Sequence, residues 1–67
     1  MKISARNKIP ATIKEVKMGA VMAEVVVQAG NNQIVAAITK DAVEDLDLKA
    51  GNSVIALVKS TSVMIQK

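Results

Sequence analysis

The chain has 67 residues, of which 51% are hydrophobic, and carries a formal charge of +3. A domain this short buries only about 60% of the surface that its unfolded chain exposes, so its core is marginal unless a partner completes it. The chain contains no cysteine and no histidine, which excludes disulfides, thiolate or imidazole metal sites and serine-histidine triads. It also has no aromatic residue for stacking nucleic-acid bases, and its lysines are scattered, a pattern that favours small anions over polyanions.

The first segment alternates apolar and other residues from Ile3 to Ile13, which predicts a strand. Pro10 has no N–H to donate to a sheet, and Val16 falls out of the alternating phase. We therefore expect an edge position or a bulge near Pro10 and a bend before Val16.

The clearest strand runs from Val21 to Gln28. Its alternation places four apolar residues on one face: Val21, Ala23, Val25 and Val27. Residues 17–20 and 29–32 flank it and are predicted to be hairpin turns, because Gly and Asn tolerate a positive φ. The next strand, 33–38, is apolar on both faces.

A short helix is predicted to begin at Thr39, which is a suitable N-cap, with Asp41 in the first turn. Its apolar stripe is Ala42, Val43 and Leu46. Residues 48–52 close it with a glycine-bearing turn. A strand over 53–59 follows, and the chain ends with a short strand through Val63, Met64 and Ile65.

This order of three strands, a short helix and two strands is typical of an all-β, OB-type five-stranded barrel with one helix between strands 3 and 4. We expect a single domain over 1–67. The strands at 33–38 and 53–58 are apolar on both faces, whereas a small barrel buries only its inner face. We infer a homo-oligomer that covers the outer face. The alternative is that these residues belong to the ordinary apolar part of a protein surface.

Catalysis has no evident basis in the sequence. Four of the six acidic residues fall in and just after the predicted helix, and they lack the spacing of a calcium loop: Asp41, Glu44, Asp45 and Asp47. No nucleophile has a nearby base. The sequence therefore predicts no catalytic residue and no metal ion held directly by protein ligands.

Two polar segments are better candidates for a site. Residues 4–7, Ser-Ala-Arg-Asn, contain the only arginine, and residues 59–62, Lys-Ser-Thr-Ser, place a lysine beside three hydroxyls. Neither segment contains a carboxylate. Cationic groups and short hydroxyl donors together suit a tetrahedral oxyanion. The alternative interpretation of each segment is a solvated strand end.

The same segments carry a family resemblance. Besides Met-Lys-Ile-Ser-Ala-Arg-Asn at the start and Lys-Ser-Thr-Ser-Val-Met-Ile at the end, the chain contains Lys-Met-Gly-Ala-Val and Ile-Thr-Lys-Asp-Ala-Val-Glu-Asp-Leu. Over essentially its whole length it resembles the molbindins, or Mop proteins, which are small cytoplasmic molybdate-binding proteins. The resemblance implies a single Mop or TOBE-like domain with an OB-type barrel, a cytoplasmic location and a hexamer built as a trimer of dimers.

The resemblance also implies the site residues. The interface oxyanion site would comprise Ser4, Ala5 through its main-chain N–H, Arg6, Thr39, Lys59, Ser60 and Ser62. A second oxyanion site near the threefold axis would comprise Gly19, Ala20 and Val21. Many relatives have a polar residue after this valine, whereas this chain has Met22, which donates no useful hydrogen bond. The second site would then depend on main-chain donors or bind weakly.

These inferences predict a non-enzyme that binds and stores molybdate, and tungstate with it, as part of cellular metal homeostasis. No nucleic-acid or membrane partner is expected. Two alternatives stay open on the sequence alone: a nucleic-acid-binding OB domain and a purely structural oligomerisation module. Because no histidine titrates near neutrality, anion binding is expected to change little between about pH 6 and 8.

Overall fold

A four-stranded antiparallel sheet forms most of the protein. The computed structural model describes residues 7–67. Its strands follow the order β3-β2-β1-β4, and one short helix, α1, connects β3 to β4. The elements are β1 (Asn7–Met18), β2 (Met22–Ala29), β3 (Asn32–Thr39), α1 (Lys40–Leu46) and β4 (Ser53–Val58). The predicted class is confirmed: the chain is mostly β-sheet, with its helix between the third and fourth strands.

Strand β1 is long because it pairs with a different neighbour in each half. From Asn7 to Thr12 it pairs with β4, and from Thr12 to Met18 it pairs with β2. A bulge between Ile13 and Glu15 separates the halves and supplies the bend expected before Val16. The pairing of β2 with β1 begins only at Thr12, so no residue of β2 lies opposite Pro10 and its missing N–H leaves no gap in the β1–β2 ladder.

The core lies on one face of β1 and β2 beneath the helix. It consists of Ile13, Ala23, Val25, Val27 and Val43, each at most 5% exposed. Of the four residues predicted to share one face of the second strand, Ala23, Val25 and Val27 are buried, whereas Val21 precedes β2 and is 73% exposed; Val26, on the opposite face, is also buried. Full burial of a Val or Ile side chain contributes about 1.5–3 kcal/mol, so a cluster this small makes a modest core.

Helix α1 begins where its cap predicts. The Oγ1 of Thr39 accepts a hydrogen bond from the main-chain N–H of Ala42 at 3.1 Å, which confirms the N-cap. Within the predicted apolar stripe, Val43 packs into the core, whereas Leu46 is 68% exposed. Leu46 lies at the rim of a groove between β3 and β4, where nothing in residues 7–67 covers it.

Both hairpin turns fall where they were predicted, although glycine serves a different purpose in each. Gly30 has φ of +61°, the left-handed conformation that favours glycine. Gly19 has no positive φ; a Cβ there would lie 2.6 Å from the carbonyl oxygen of Met22. Close approach of two backbone segments, and not φ, therefore requires the glycine at position 19.

The fifth predicted strand is absent from the described residues. Ser60–Ser62 form a single 3₁₀ turn, and residues 63–67 have no regular secondary structure. Met64 is 92% and Ile65 89% exposed. A strand requires a hydrogen-bonded neighbour, and no strand within residues 7–67 pairs with this segment.

The two edge strands of this sheet are β3 and β4, and they do not pair with each other. The groove between these strands has a volume of about 440 Å³ and is lined almost entirely by apolar side chains. On the outer face, Val35, Ile55 and Leu57 are exposed, as expected for strands that are apolar on both faces. No helix within residues 7–67 has the length and apolar character needed to span a membrane.

Candidate anion-binding sites

The segment after β4 presents hydroxyl groups on a tight turn. Lys59 precedes the 3₁₀ turn in an extended conformation, and its carbonyl accepts the N–H of Ser62 at 2.9 Å. Ser60 and Ser62 are exposed, and within the described part of the chain their hydroxyls make no hydrogen bond. No group within residues 7–67 therefore competes with a ligand for either hydroxyl.

The ammonium group of Lys59 is also available. Among residues 7–67, the one ion pair joins the Nζ of Lys49 to the Oδ1 of Asp47 at 3.5 Å. All six acidic side chains of the protein lie in this part of the chain, so none of them neutralises Lys59. A cation close to two hydroxyls, all three without a partner in residues 7–67, is an arrangement suited to binding an anion.

The two predicted polar segments meet the sheet at the same place. Asn7 and Val58 form the end pair of the β1–β4 ladder, and the Nδ2 of Asn7 donates to the Val58 carbonyl at 3.1 Å. Lys59 follows this pair directly in the sequence and Arg6 precedes it directly. The predicted residues Ser4, Ala5 and Arg6 lie outside the described residues.

Asn7 was absent from the predicted site, although it belongs to the Ser-Ala-Arg-Asn segment that was singled out. Its amide fixes the end of β4 immediately before Lys59. No signal in the sequence could have found it, because the bond joins residues 51 apart and depends on the register of β1 against β4.

The remaining predicted residues cluster at the other end of β1. Thr39 pairs with Met22 at the end of the β2–β3 ladder, and the N–H of Lys40 donates to the carbonyl of Val21 at 2.8 Å. The N–H of Gly19 donates to the carbonyl of Met22 at 2.9 Å. The structure therefore brings Thr39 together with the predicted second site, Gly19, Ala20 and Val21.

This turn offers main-chain donors. Ala20 and Val21 are exposed, and within residues 7–67 neither of their N–H groups donates a hydrogen bond. Met22 is 48% exposed and adds no polar group. Any anion bound here would be held by N–H groups, as the sequence suggested.

Thr39 and Lys59 do not come together within one chain. Thr39 lies beside the end of β1 that carries Met18, whereas Lys59 follows Val58 beside the end that carries Asn7. These ends are separated by the whole of a 12-residue strand. A site that contains both side chains therefore requires two copies of the protein.

The acidic residues do not form a cation site in the described part of the chain. No group of three or more His, Cys, Asp or Glu side chains within it is arranged to hold a metal ion. The carboxylate of Asp47 is instead paired with Lys49. Its left-handed backbone, with φ of 51°, ends helix α1.

Comparisons with known proteins agree with this fold. Residues 3–65 match the model of the TOBE domain. Molybdenum-pterin-binding protein 2 of Clostridium pasteurianum is 48% identical over 66 residues, which cover 97% of each chain. A molybdate-binding protein from Sporomusa ovata superposes with a TM-score of 0.96 at 52% identity over all of both chains.

A further solved structure is the cytoplasmic molybdate-binding protein ModG with molybdate bound. It is similar over 90% of this chain and 43% of its own, with a TM-score of 0.83 and 39% identity. These relatives share with this chain the OB-type fold. The match covers nearly the whole sequence, and the chain belongs to the TOBE domain family.

Proposed function

We propose that this protein binds molybdate reversibly and stores it in the cytoplasm as a homo-oligomer without catalysing a reaction. The observation that carries the proposal is the ammonium of Lys59, which no carboxylate of residues 7–67 neutralises, close in sequence to Ser60 and Ser62, whose hydroxyls make no hydrogen bond within the same residues. The molybdate-binding relatives at 52% and 39% identity support the choice of ligand. Tungstate, a tetrahedral dianion of the same shape, is expected to bind at the same groups.

Capture of the dianion depends on charge-assisted hydrogen bonds. Arg6 and Lys59 supply positive charge, while Ser4, Ser60 and Ser62 supply hydroxyl donors and Ala5 a main-chain N–H. Each charge-assisted bond contributes about 1.5–3 kcal/mol. A few of them reach about 8 kcal/mol, or micromolar affinity, after the entropy of binding is subtracted.

The hydroxyl of Thr39 can cap helix α1 and donate to a ligand at the same time. Its oxygen accepts the N–H of Ala42, and within residues 7–67 its hydrogen is donated to no acceptor. Because Thr39 lies far along the sheet from Lys59, we propose that it reaches the ligand from a neighbouring subunit. Molybdate would then bind across an interface, and its occupancy would depend on assembly.

The second anion site is proposed at the turn of Gly19, Ala20 and Val21. Its support is the pair of exposed N–H groups on Ala20 and Val21, which have no acceptor within residues 7–67. Without a charged or hydroxyl side chain among these residues, this site is expected to bind more weakly than the site around Lys59.

Assembly is supported by the apolar surface of the single chain. Val35, Ile55 and Leu57 are exposed on the outer face, and the facing edges of β3 and β4 are unpaired within residues 7–67. Exposed apolar side chains and open strand edges are both covered in stable proteins. We propose a hexamer, arranged as a trimer of dimers.

Native mass spectrometry with and without molybdate tests the proposal, because it reports subunit number and ion count together. The expected result is a hexamer that gains several molybdate ions at micromolar concentration. Sulfate is the matched control for a tetrahedral dianion. A hexamer that gains no molybdate and is not stabilised by it at millimolar concentration would leave a structural oligomerisation module as the better account.

A further inference from the structure

We propose that the main-chain N–H of Lys40 is a positioning group for the anion site at the Gly19–Met22 turn. The inference rests on the proposed function and adds to it the residue that sets the geometry of the second site. The observation is the hydrogen bond from the Lys40 N–H to the Val21 carbonyl at 2.8 Å, which joins the start of α1 to the turn between β1 and β2.

The turn has no side chain that can position its donors. Gly19 has none, and Ala20 and Val21 have apolar ones, so an anion there meets only N–H groups whose directions follow the backbone. Two hydrogen bonds fix that backbone: Gly19 N–H to the Met22 carbonyl at 2.9 Å, and Lys40 N–H to the Val21 carbonyl. The second is the only one of the two that comes from outside the turn.

The donor of this bond is normally left without a partner inside a helix. The first four N–H groups of an α-helix have no intrahelical acceptor, and Lys40 is the first residue of α1. The Thr39 side chain satisfies the N–H of Ala42, whereas the N–H of Lys40 is directed to the turn. Helix α1 thereby holds the carbonyl of Val21, the residue whose own N–H, like that of Ala20 before it, makes no hydrogen bond within residues 7–67.

Lys40→Pro removes this donor and remains compatible with helix α1. Proline is favoured at the first helical position, where its missing N–H costs no helical bond. The residue before a proline must be extended, and Thr39 already has φ of −71° and ψ of 150°. The ring also occupies the place of the hydrogen, so the Val21 carbonyl must move away. Lys40→Ala is the matched control, because it removes the charged side chain and keeps the N–H.

The test is a molybdate titration of the isotope-labelled full-length protein, followed through the amide resonances of Ala20, Val21 and Ser62. In the wild type and Lys40→Ala, all three are expected to shift saturably. In Lys40→Pro, the affinity reported by Ala20 and Val21 is expected to fall about fivefold or more, the effect of one main-chain hydrogen bond, while Ser62 reports an unchanged affinity. Equal affinities at Ala20 and Val21 in the two variants overturn the inference.

Amide hydrogen exchange of Gly19 without molybdate provides a readout independent of the ligand. If Lys40 holds the turn, the Gly19 N–H exchanges faster in Lys40→Pro than in Lys40→Ala; equal rates overturn the positioning role. A synthetic chain with an ester at the Thr39–Lys40 bond, which removes the N–H without adding bulk, replaces the proline variant if that variant does not fold. A wild type with no molybdate-induced shift overturns the proposed function, and Gly19 exchange still decides whether Lys40 fixes the turn.

Discussion

Asn7 lies opposite Val58 in the end pair of the β1–β4 ladder, and its side-chain amide donates to the Val58 carbonyl at 3.1 Å. This pair joins the two segments that carry the strongest anion-binding chemistry of the sequence, since Arg6 precedes it and Lys59 follows it. The carboxylates of residues 7–67 leave Lys59 unpaired. Charge at this end of the sheet is therefore expected to control the affinity of the proposed anion site around Lys59, which is called the main site below.

Lys59→Ala and Arg6→Ala are each expected to weaken molybdate binding at the main site by about tenfold or more, the loss of one charge-assisted hydrogen bond. Isothermal titration calorimetry of the assembled protein measures this change. Lys49→Ala is the control, because Lys49 is an exposed lysine already paired with Asp47. Unchanged affinity in both the Arg6 and the Lys59 variants would contradict the site assignment.

The capping role of Thr39 and its proposed role in anion binding are separable by substitution. Thr39→Ser keeps both the cap and the donor, so stability and molybdate affinity are expected to stay near wild type. Thr39→Asp keeps an oxygen for the Ala42 N–H but places a negative charge toward the anion, so the affinity falls while the fold stays stable. Thr39→Ala loses both, at a cost of about 1 kcal/mol in the free energy of unfolding.

Thermal unfolding of the ligand-free variants and calorimetric titration with molybdate give the two readouts for the Thr39 series. An Asp variant that binds as tightly as wild type would remove Thr39 from the site while leaving its capping role intact. A Ser variant that loses affinity would instead point to a packing role for the threonine methyl group.

Glycines 19 and 30 are expected to respond differently to substitution. At Gly19 an added Cβ lies 2.6 Å from the Met22 carbonyl oxygen, so Gly19→Ala must displace the backbone of the turn. At Gly30 nothing lies within 4 Å, and φ is +61°, so Gly30→Ala meets only the left-handed backbone penalty of about 1–2 kcal/mol.

Gly30→Asn is the matched control for conformation, because asparagine tolerates the left-handed region. Urea unfolding is expected to give Gly30→Asn the free energy of unfolding closest to that of the wild type. Gly19→Ala is also expected to lose the molybdate-induced amide shifts at Ala20 and Val21. If Gly19→Ala unfolds and titrates like the wild type, the close approach at this turn has no functional consequence.

Local patterns predicted most of the fold because their causes are local. The alternation of Ala23, Val25 and Val27, the cap at Thr39 and the bend before Val16 each depend on a few neighbouring residues, and all are observed. Leu46 of the predicted apolar stripe is exposed, and the strand predicted through residues 63–65 is absent from the described residues, for a shared reason. Both require a covering neighbour, and the sequence pattern does not say whether that neighbour belongs to the same chain.

The candidate site residues likewise divide into those that residue type alone identifies and those that depend on how the strands pair. Residue types identified Lys59, Ser60 and Ser62 as anion donors, and the structure leaves these groups free within residues 7–67. Sequence reasoning did not anticipate that Thr39 lies beside Val21 and far from Lys59, because this depends on the register of β2 against β3. Nor did it find the Lys40–Val21 hydrogen bond, since a main-chain donor has no signature in residue type.

Molybdate binding is expected to be insensitive to pH between about 6 and 8, because histidine is the side chain whose ordinary pKa places its charge change in this range and the chain has none. Calorimetric affinities at both ends of the range, in buffers of different ionisation enthalpy, measure the effect and any proton uptake together. The expected proton uptake is zero. Constant affinity across this range is the outcome that the composition predicts, and a change of tenfold or more between pH 6 and pH 8 would contradict it.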